Sequence, residues 1–368
     1  MFNLADHIVA LTEHRDRDLL DVRLTESLMD VLAPFSVAIF AVLSDEGTRR
    51  WQPLTSMERE GVIDIFDPLW SDISELQLLA EVPHRARCLN ELQRVVLEPS
   101  GDRMMHVTCL QLFADLRVEG QGVIEIRSET ELSVPALNAV TRLLRVYGNM
   151  HGMLEYSERD SLTGLLNRKS FDDSFYKVLK EPQEEEERER AGFFRPEDFE
   201  PEPDAGIGAE AVACAREDST GYWLAMIDID HFKKVNDQHG HLIGDEVLIL
   251  VARILKTTFR LLDRVYRFGG EEFVVVLRSG DGVTAEQILE RFRTNMEEHE
   301  FPQVGCITAS VGLSEILTSD SPSSACERAD QAVYYAKKTG RNKVCLHAEL
   351  VRQGLLKDGA KAGGVELF

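Results

Sequence analysis

Residues 267–273 have the sequence Arg-Phe-Gly-Gly-Glu-Glu-Phe, and this stretch constrains the fold more than any other part of the chain. An apolar run precedes the Gly-Gly pair, and a second apolar run, Phe273–Leu277, follows the two glutamates. Two β-rich runs around Gly-Gly predict a tight hairpin, because glycine adopts the positive φ that such turns need. The hairpin would hold two carboxylates beside bare glycine backbone, which suits a metal and a phosphate. The alternative is a surface hairpin whose acids are solvated.

A second acidic cluster ends an apolar stretch at residues 224–230, Leu-Ala-Met-Ile-Asp-Ile-Asp. Side chains alternate along a strand, so Asp228 and Asp230 share one face and the isoleucines the other. Such a strand is predicted to be central in a sheet, with its terminal acids at an edge or cleft. Asp228 and the Glu271/Glu272 pair could then hold hard divalent cations between them. Because neighbours on a strand point opposite ways, we expect only one of the two glutamates to face Asp228.

Five motifs, in a fixed order between residues 160 and 344, identify a resemblance. They are Asp160–Leu165 with Asn167-Arg168, Asp228–Lys233 with Asn236-Asp237, Gly240-His241 with Gly244-Asp245, Gly269–Phe273, and Ala336-Lys337 with Gly340–Asn342. Together they resemble the GGDEF family of diguanylate cyclases, in its GGEEF variant. The resemblance implies an α/β (α+β) fold with a palm-like nucleotidyl cyclase domain. It also implies an enzyme that condenses two GTP into cyclic di-GMP and releases two pyrophosphates.

The resemblance assigns the acids to metal binding and catalysis. Asp228 and Glu271 are implied ligands of Mg²⁺ (or Mn²⁺), together with the backbone carbonyl of Ile229. Glu272 is implied to assist metal binding or proton removal, so the expected catalytic set is Asp228, Glu271 and Glu272. Phosphoryl transfer of this kind depends on positioning and charge neutralisation more than on covalent help.

Three cations are expected to bind the GTP phosphates by the same resemblance: Lys233, Lys337 and Arg341. Lys337 and Arg341 are four residues apart and would share one face of a helix. The backbone amides of His231 and Phe232 are expected to add donors. The alternative for each cation is a solvated surface charge.

Asn236 and Asp245 match the positions that recognise guanine in the family. A carboxylate accepts the N1–H and amine protons of guanine, and an asparagine satisfies a mixed edge. Asp245 could also serve as the N-cap of a helix Glu246–Leu255, and the two roles are compatible.

Arg260-Leu261-Leu262-Asp263 precedes the hairpin and matches the family's RxxD inhibitory site in sequence and in distance from Gly269. Arg291 occupies the place of a further arginine that binds the product. The resemblance therefore implies that cyclic di-GMP binds at Arg260, Asp263 and Arg291 and inhibits the enzyme.

Bulk properties limit the partners. The net charge of −23 argues against nucleic acid, whose phosphates need a basic face. Six cysteines without close metal-ligand spacing favour reduced thiols and a cytoplasmic location. The sequence predicts neither a membrane span nor a signal peptide.

A chain of 368 residues has room for two domains. Residues 1–132 are predicted to form a GAF-like α+β sensory domain, although a PAS-like or other α+β domain remains open. Its expected elements are a helix Ala5–Leu32 and strands Ser36–Leu43, Met105–Leu116 and Gly122–Ile126, with a turn at Arg117–Gln121. The apolar face of that helix would comprise Leu19, Leu20, Val22, Leu28 and Leu32.

Residues 133–158 are predicted to be one helical linker with a heptad seam from Leu137 to Leu154, which favours a parallel homodimer. The alternative is an ordinary helix packed on its own domain. The catalytic domain is expected at 159–346, with an acidic insertion at about 181–220, and a tail at 347–368. The sequence does not indicate the signal sensed, the role of the insertion or the receptor of the product.

Two rival functions fit the same motifs. One is an inactive GGDEF domain that only binds cyclic di-GMP, and the intact acids and GTP-binding residues argue against it. The other is a cyclase that uses ATP or makes a mixed dinucleotide, and Asp245 argues against it.

Overall fold

Two units divide the chain in the computed structural model, Met1–Glu158 and Arg159–Phe368. The structure describes residues 4–13, 16–45, 47–59, 61, 63–66, 73–100, 105–112, 122–179, 221–260 and 263–356. The predicted insertion at 181–220, the predicted turn at 117–121 and residues 357–368 of the tail lie outside the described residues.

An antiparallel six-stranded sheet of order β3-β2-β1-β6-β5-β4 forms the centre of the first unit. The strands are β1 Ser36–Asp45, β2 Thr48–Glu58, β3 Ile63–Ile65, β4 Val95–Leu97, β5 His106–Gln111 and β6 Gly122–Ser128, and the helices are α1 Leu4–Glu13, α2 Arg17–Leu32, α3 Pro83–Glu91 and α4 Val134–Glu158. Side chains of β6 alternate between the two faces of the sheet, and each face packs in a separate hydrophobic core. Ile124 packs with α1, α2 and α4, whereas Val123 packs with α3 and Trp51. The sheet is therefore covered by helices on both faces.

The single helix predicted for Ala5–Leu32 is wrong, because α1 and α2 are separate helices. The Asp16 carboxylate caps α2 by accepting the backbone N–H of Asp18 at 2.9 Å and that of Leu19 at 3.4 Å. A capping aspartate starts a new helix, since it satisfies amides that otherwise lack partners. Leu19, predicted on the apolar face, is 42% exposed.

Helix α4 packs on its own unit. Val140, Tyr147 and Leu154 of the predicted heptad seam are buried against α1, α2 and the sheet. This is the packing of the second alternative, an ordinary helix that completes the core of its domain. The dimeric linker and the GAF-like assignment stay predictions.

The second unit contains a sheet of order β14-β13-β8-β10-β9-β7. Its strands are β7 Leu166–Asn167, β8 Gly221–Ile229, β9 Arg264–Arg267, β10 Glu272–Ser279, β13 Ala309–Ile316 and β14 Lys343–Leu346, with a separate pair β11 Glu300–Phe301 and β12 Gly305–Cys306; its helices are α5 Arg168–Leu179, α6 Phe232–His239, α7 His241–Thr258, α8 Gly282–Glu298, α9 Pro322–Lys338 and α10 His347–Arg352. The acidic strand β8 is central, between β10 and β13, as predicted.

Helices cover both faces of this second sheet. Helices α7 and α8 pack on the face that carries Ile227 and Ile229. Helix α9 crosses the other face at Gly312, where a Cβ would lie 2.1 Å from the Ala329 carbonyl oxygen. Only glycine allows this approach, and it brings the end of α9 to the acidic end of β8.

Candidate functional site

The predicted hairpin is confirmed, but the predicted positive φ of its glycines is wrong. Strands β9 and β10 pair antiparallel, and the Glu272 carbonyl accepts the N–H of Phe268 at 2.8 Å and that of Gly269 at 3.2 Å. Neither Gly269 nor Gly270 has a positive φ. Instead, a Cβ on Gly269 would lie 2.3 Å from the Glu272 Oε2 atom. The glycine therefore leaves room for the Glu272 carboxylate in its present position.

Both glutamates interact electrostatically with Asp228, and the expectation that only one faces it stays a prediction. Glu272 begins β10 and is directly paired with Asp228 across the sheet. Glu271 belongs to the turn, where strand alternation does not apply, and its carbonyl accepts the Ile229 N–H at 3.3 Å. Burial, followed by the charge of Asp228, raises the pKa of both glutamates.

A lysine provides the cation at this acidic cluster. The Lys337 Nζ atom, near the end of α9, lies 2.6 Å from Asp228 Oδ2. Burial raises the pKa of Asp228, and the hydrogen bond and charge of Lys337 lower it only in part. Carboxylates with raised pKa values around one cation form a site that favours further positive charge. Oxygen donors of this kind are the ligands that Mg²⁺ and Mn²⁺ prefer, so the residues fit the implied metal.

The start of α6 follows β8 directly. His231 adopts a left-handed conformation with φ of 60°, which turns the chain from the strand into the helix. Phe232 is buried and Lys233 is exposed. The N-terminus of a helix carries partial positive charge and free amides, which suit a phosphate.

Of the two predicted guanine-binding residues, Asn236 lies against Gly244, the residue before Asp245. A Cβ at Gly244 would lie 2.0 Å from Asn236 Oδ1, so the Asn236 amide lies against the residue that precedes Asp245. The predicted N-cap role of Asp245 is wrong, because α7 begins at His241 with Gly240 at the N-cap. Asp245 lies within the helix and is exposed.

Arg341 does not share a helix face with Lys337, contrary to the prediction. Helix α9 ends at Lys338, and Arg341 is left-handed with φ of 62°. Its N–H donates to the Ala336 carbonyl at 2.9 Å. The buried Asp230 fixes this turn by accepting the N–H of Asn342 at 3.0 Å, and it also accepts the hydroxyls of Thr308 and Ser310.

Two residues that influence the site, Arg267 and Asp330, were not predicted from the sequence. Arg267 donates from Nη1 to Asp160 Oδ1 at 2.9 Å and from Nη2 to the Gly270 carbonyl at 2.9 Å, which fixes the hairpin turn. Asp330 raises the pKa of Asp228 and Glu272 by its charge. A helical spacing of seven residues before Lys337 could have revealed Asp330. No local sequence pattern predicts the contact between Arg267 and Asp160.

The residues of the predicted inhibitory site also lie together. The Arg260 N–H donates to Asp263 Oδ2 at 2.8 Å, and the Asp263 N–H donates to the Arg260 carbonyl at 3.0 Å. Arg291 donates to the Thr258 carbonyl at 2.6 Å. Burial raises the pKa of Asp263, while the charges of Arg260 and Arg291 lower it.

The family model of the diguanylate cyclase GGDEF domain matches residues 208–343. The second unit contains a GGDEF domain. The chain is 41% identical over 138 residues to diguanylate cyclase DgcP of Pseudomonas aeruginosa, covering 37% of this chain and 21% of that protein. It is 31% identical over 227 residues to diguanylate cyclase VdcA of Vibrio cholerae, covering 60% of this chain and 56% of that protein. The chain thus spans less than two thirds of the length of either relative.

Among solved structures, the active GGEEF domain of a diguanylate cyclase from Vibrio cholerae is 37% identical. The alignment covers 34% of this chain and 82% of that chain, with a TM-score of 0.33. None of the helices in the described part of the chain has the length and apolar character needed to cross a membrane.

Proposed function

We propose that the protein is a diguanylate cyclase that condenses two GTP into cyclic di-GMP and releases two pyrophosphates. One observation carries the proposal: within a GGDEF domain, the Lys337 ammonium contacts the Asp228 carboxylate at one end of the sheet, and Glu271 and Glu272 interact electrostatically with both. Three acids and a lysine at a strand end suit a metal-assisted transfer of a nucleotidyl group.

Asp228, Glu271 and the Ile229 carbonyl would hold Mg²⁺ (or Mn²⁺). When bound, the metal neutralises the triphosphate and lowers the pKa of the attacking 3′-hydroxyl. Lys337 would leave Asp228 and bind a phosphate of GTP. Glu272, whose pKa is raised by burial and by the charge of Asp228, would accept the proton of the hydroxyl.

Substrate binding would use the two ends of α6. Lys233, Arg341 and the amides of His231 and Phe232 would bind the phosphates at the start of the helix. Asn236, near its end, would bind the guanine edge together with Asp245. A carboxylate at that edge disfavours adenine, which lacks the N1–H donor.

The product has two-fold symmetry, so two catalytic domains would have to meet with their GTP molecules opposed. We propose a homodimer for this reason, with α4 as the element through which a GAF-like first unit regulates the encounter. Cyclic di-GMP bound at Arg260, Asp263 and Arg291 would inhibit the enzyme. A need for GTP is consistent with a cytoplasmic location.

The experiment that tests the assignment replaces single acids in the full chain. Asp228→Asn and Glu271→Gln should each abolish the formation of cyclic di-GMP from GTP while circular dichroism shows an intact fold. Glu246→Gln, an exposed acid on α7, is the matched control and should retain turnover. Near-normal turnover in Asp228→Asn or Glu271→Gln would overturn the assignment of the metal ligands.

A further inference from the structure

A second cluster of metal-ligand side chains lies in the first unit, on the face of the sheet that α3 covers. His84 of α3, Cys109 of β5 and Glu125 of β6 each offer one ligand atom, and these atoms lie within 4.8 Å of one another. Cys109 and Glu125 are directly paired across neighbouring strands and are 0% and 3% exposed. We propose that these three residues bind one transition-metal ion of the Zn²⁺ class in the first unit. The proposal is independent of the proposed cyclase activity.

The geometry is close to that of a metal site. Ligands at about 2.0–2.3 Å from a zinc ion lie roughly 3–4 Å from one another. The His84 Nε2 atom is already 3.2 Å from Glu125 Oε2. Small side-chain rotations would therefore close the three residues around an ion. The His84 side chain is 25% exposed, so the otherwise buried cluster has a route from solvent.

Two arginines orient the carboxylate, as groups around a metal ligand commonly do. Arg85 Nε donates to Glu125 Oε2 at 2.7 Å, and Arg127 Nε donates to Oε1 at 3.1 Å. The Arg85 guanidinium is in turn held over the Phe40 ring, 3.4 Å from its centroid. A carboxylate oxygen has two lone pairs, so Oε2 can accept Arg85 and still bind a metal.

A buried ion network without a metal is the competing interpretation. It accounts for His84, whose Nε2 atom lies 3.2 Å from Glu125 Oε2, and for Cys109 as a core side chain. It leaves the buried Nη1 atom of Arg85 with no hydrogen-bond partner among the described residues. Three protein ligands leave a fourth metal position open. A water or small anion in that position could accept the Nη1 proton.

The ligand set selects the class of metal. Thiolate and imidazole favour Zn²⁺, Co²⁺ and Fe²⁺, whereas Mg²⁺ prefers oxygen alone. On binding, the Cys109 thiol would release one proton to solvent, since the thiolate is the ligand. A neutral His84 would carry its proton on Nδ1 and bind through Nε2. No electron transfer is involved.

Cobalt(II) alone, added to chelator-treated full-length protein without nucleotide, tests the proposal. We expect one equivalent to bind with a sulfur-to-cobalt charge-transfer band in the near ultraviolet. Cys109→Ser should abolish this band and His84→Ala should weaken binding. Arg127→Ala should lower the affinity by about 10–100-fold, as for other residues that orient a ligand.

Two controls separate this site from other thiols and from the acids of the second unit. Cys88→Ser removes a buried thiol of the same core that is not among the three ligands, and its band should persist. Asp228→Asn should also retain the band. The proposal is overturned if the wild-type protein shows no thiolate band at saturating cobalt, or if the band survives in folded Cys109→Ser. The wild-type measurement decides even where a variant fails to fold.

Discussion

Arg267 is a positioning residue whose loss should damage catalysis more than it damages the fold. It links Asp160, at the start of the second unit, to the carbonyl of Gly270 in the hairpin turn. The turn carries Glu271 and sets the start of β10 at Glu272. Arg267→Ala would leave the turn carbonyl without this donor and Asp160 without its cation.

The expected magnitudes follow from these contacts. The Arg267 and Asp160 side chains are 15% and 22% exposed, so solvent screens their interaction only in part. A hydrogen bond to a charged group contributes about 1.5–3 kcal/mol, and we expect Arg267→Ala to lower the free energy of unfolding by about 2–3 kcal/mol. If the turn moves by about 1 Å, misplacement of the acids should reduce turnover by about 100-fold.

The assay measures cyclic di-GMP formation and urea unfolding for Arg267→Ala, Asp160→Asn and the double variant. Because both side chains act on one turn, the double variant should lose little more than Arg267→Ala alone. Arg264→Ala, at the other end of β9, is the matched control and should keep near-normal turnover. Turnover of Arg267→Ala within twofold of wild type would refute the reasoning, since the acids would then be positioned without this link.

Three further predictions concern base choice, feedback and pH. Asn236→Ala and Asp245→Ala should each weaken GTP binding by roughly 1–3 kcal/mol. Competition binding should show a smaller preference for GTP over ATP. An unchanged preference would mean that guanine is bound elsewhere. Arg260→Ala should relieve inhibition by added cyclic di-GMP without slowing the first turnovers. If cyclic di-GMP inhibits the variant as strongly as the wild type, the assignment of the inhibitory site is wrong. Burial raises the pKa of Asp21, which accepts the Tyr147 hydroxyl at 2.5 Å, to about 7. The folded state then binds this proton more tightly than the unfolded state, so the contribution of Asp21 to stability should be complete below about pH 4 and fall by up to about 4 kcal/mol as pH rises to neutrality. Asp21→Asn should flatten this dependence in urea unfolding at different pH values, and parallel curves for the two proteins would contradict the assignment.

Local sequence predicted the parts of the site that local geometry decides. The apolar run before Asp228 predicted a central strand, and the apolar runs around Gly269 predicted a hairpin, because side-chain period and turn chemistry act over a few residues. Strand alternation predicts Glu271 on a strand, yet it lies in the turn, where alternation does not apply. Whether Glu271 belongs to the strand or to the turn depends on where β10 begins, and the sequence locates such boundaries poorly.

Contacts between distant residues were beyond local rules. Arg267 and Asp160 are separated by 107 positions, and neither has a neighbour that predicts the pair. The spacing of Arg341 from Lys337 predicts a shared helix, but the buried Asp230 holds the turn after the helix by its hydrogen bond to Asn342. The α4 seam illustrates the same limit, since its apolar stripe fits a partner helix as well as the sheet of its own unit.

The most direct test of the account is the identity of the product. Purified full-length protein, incubated with Mg²⁺ and with GTP, ATP or both, should form cyclic di-GMP and pyrophosphate from GTP alone, and no cyclic product from ATP. The rate per protein molecule should fall on dilution, because two domains must meet. No cyclic di-GMP from GTP at any protein concentration, together with retained binding of added cyclic di-GMP, would contradict the central claim and leave the protein as a receptor.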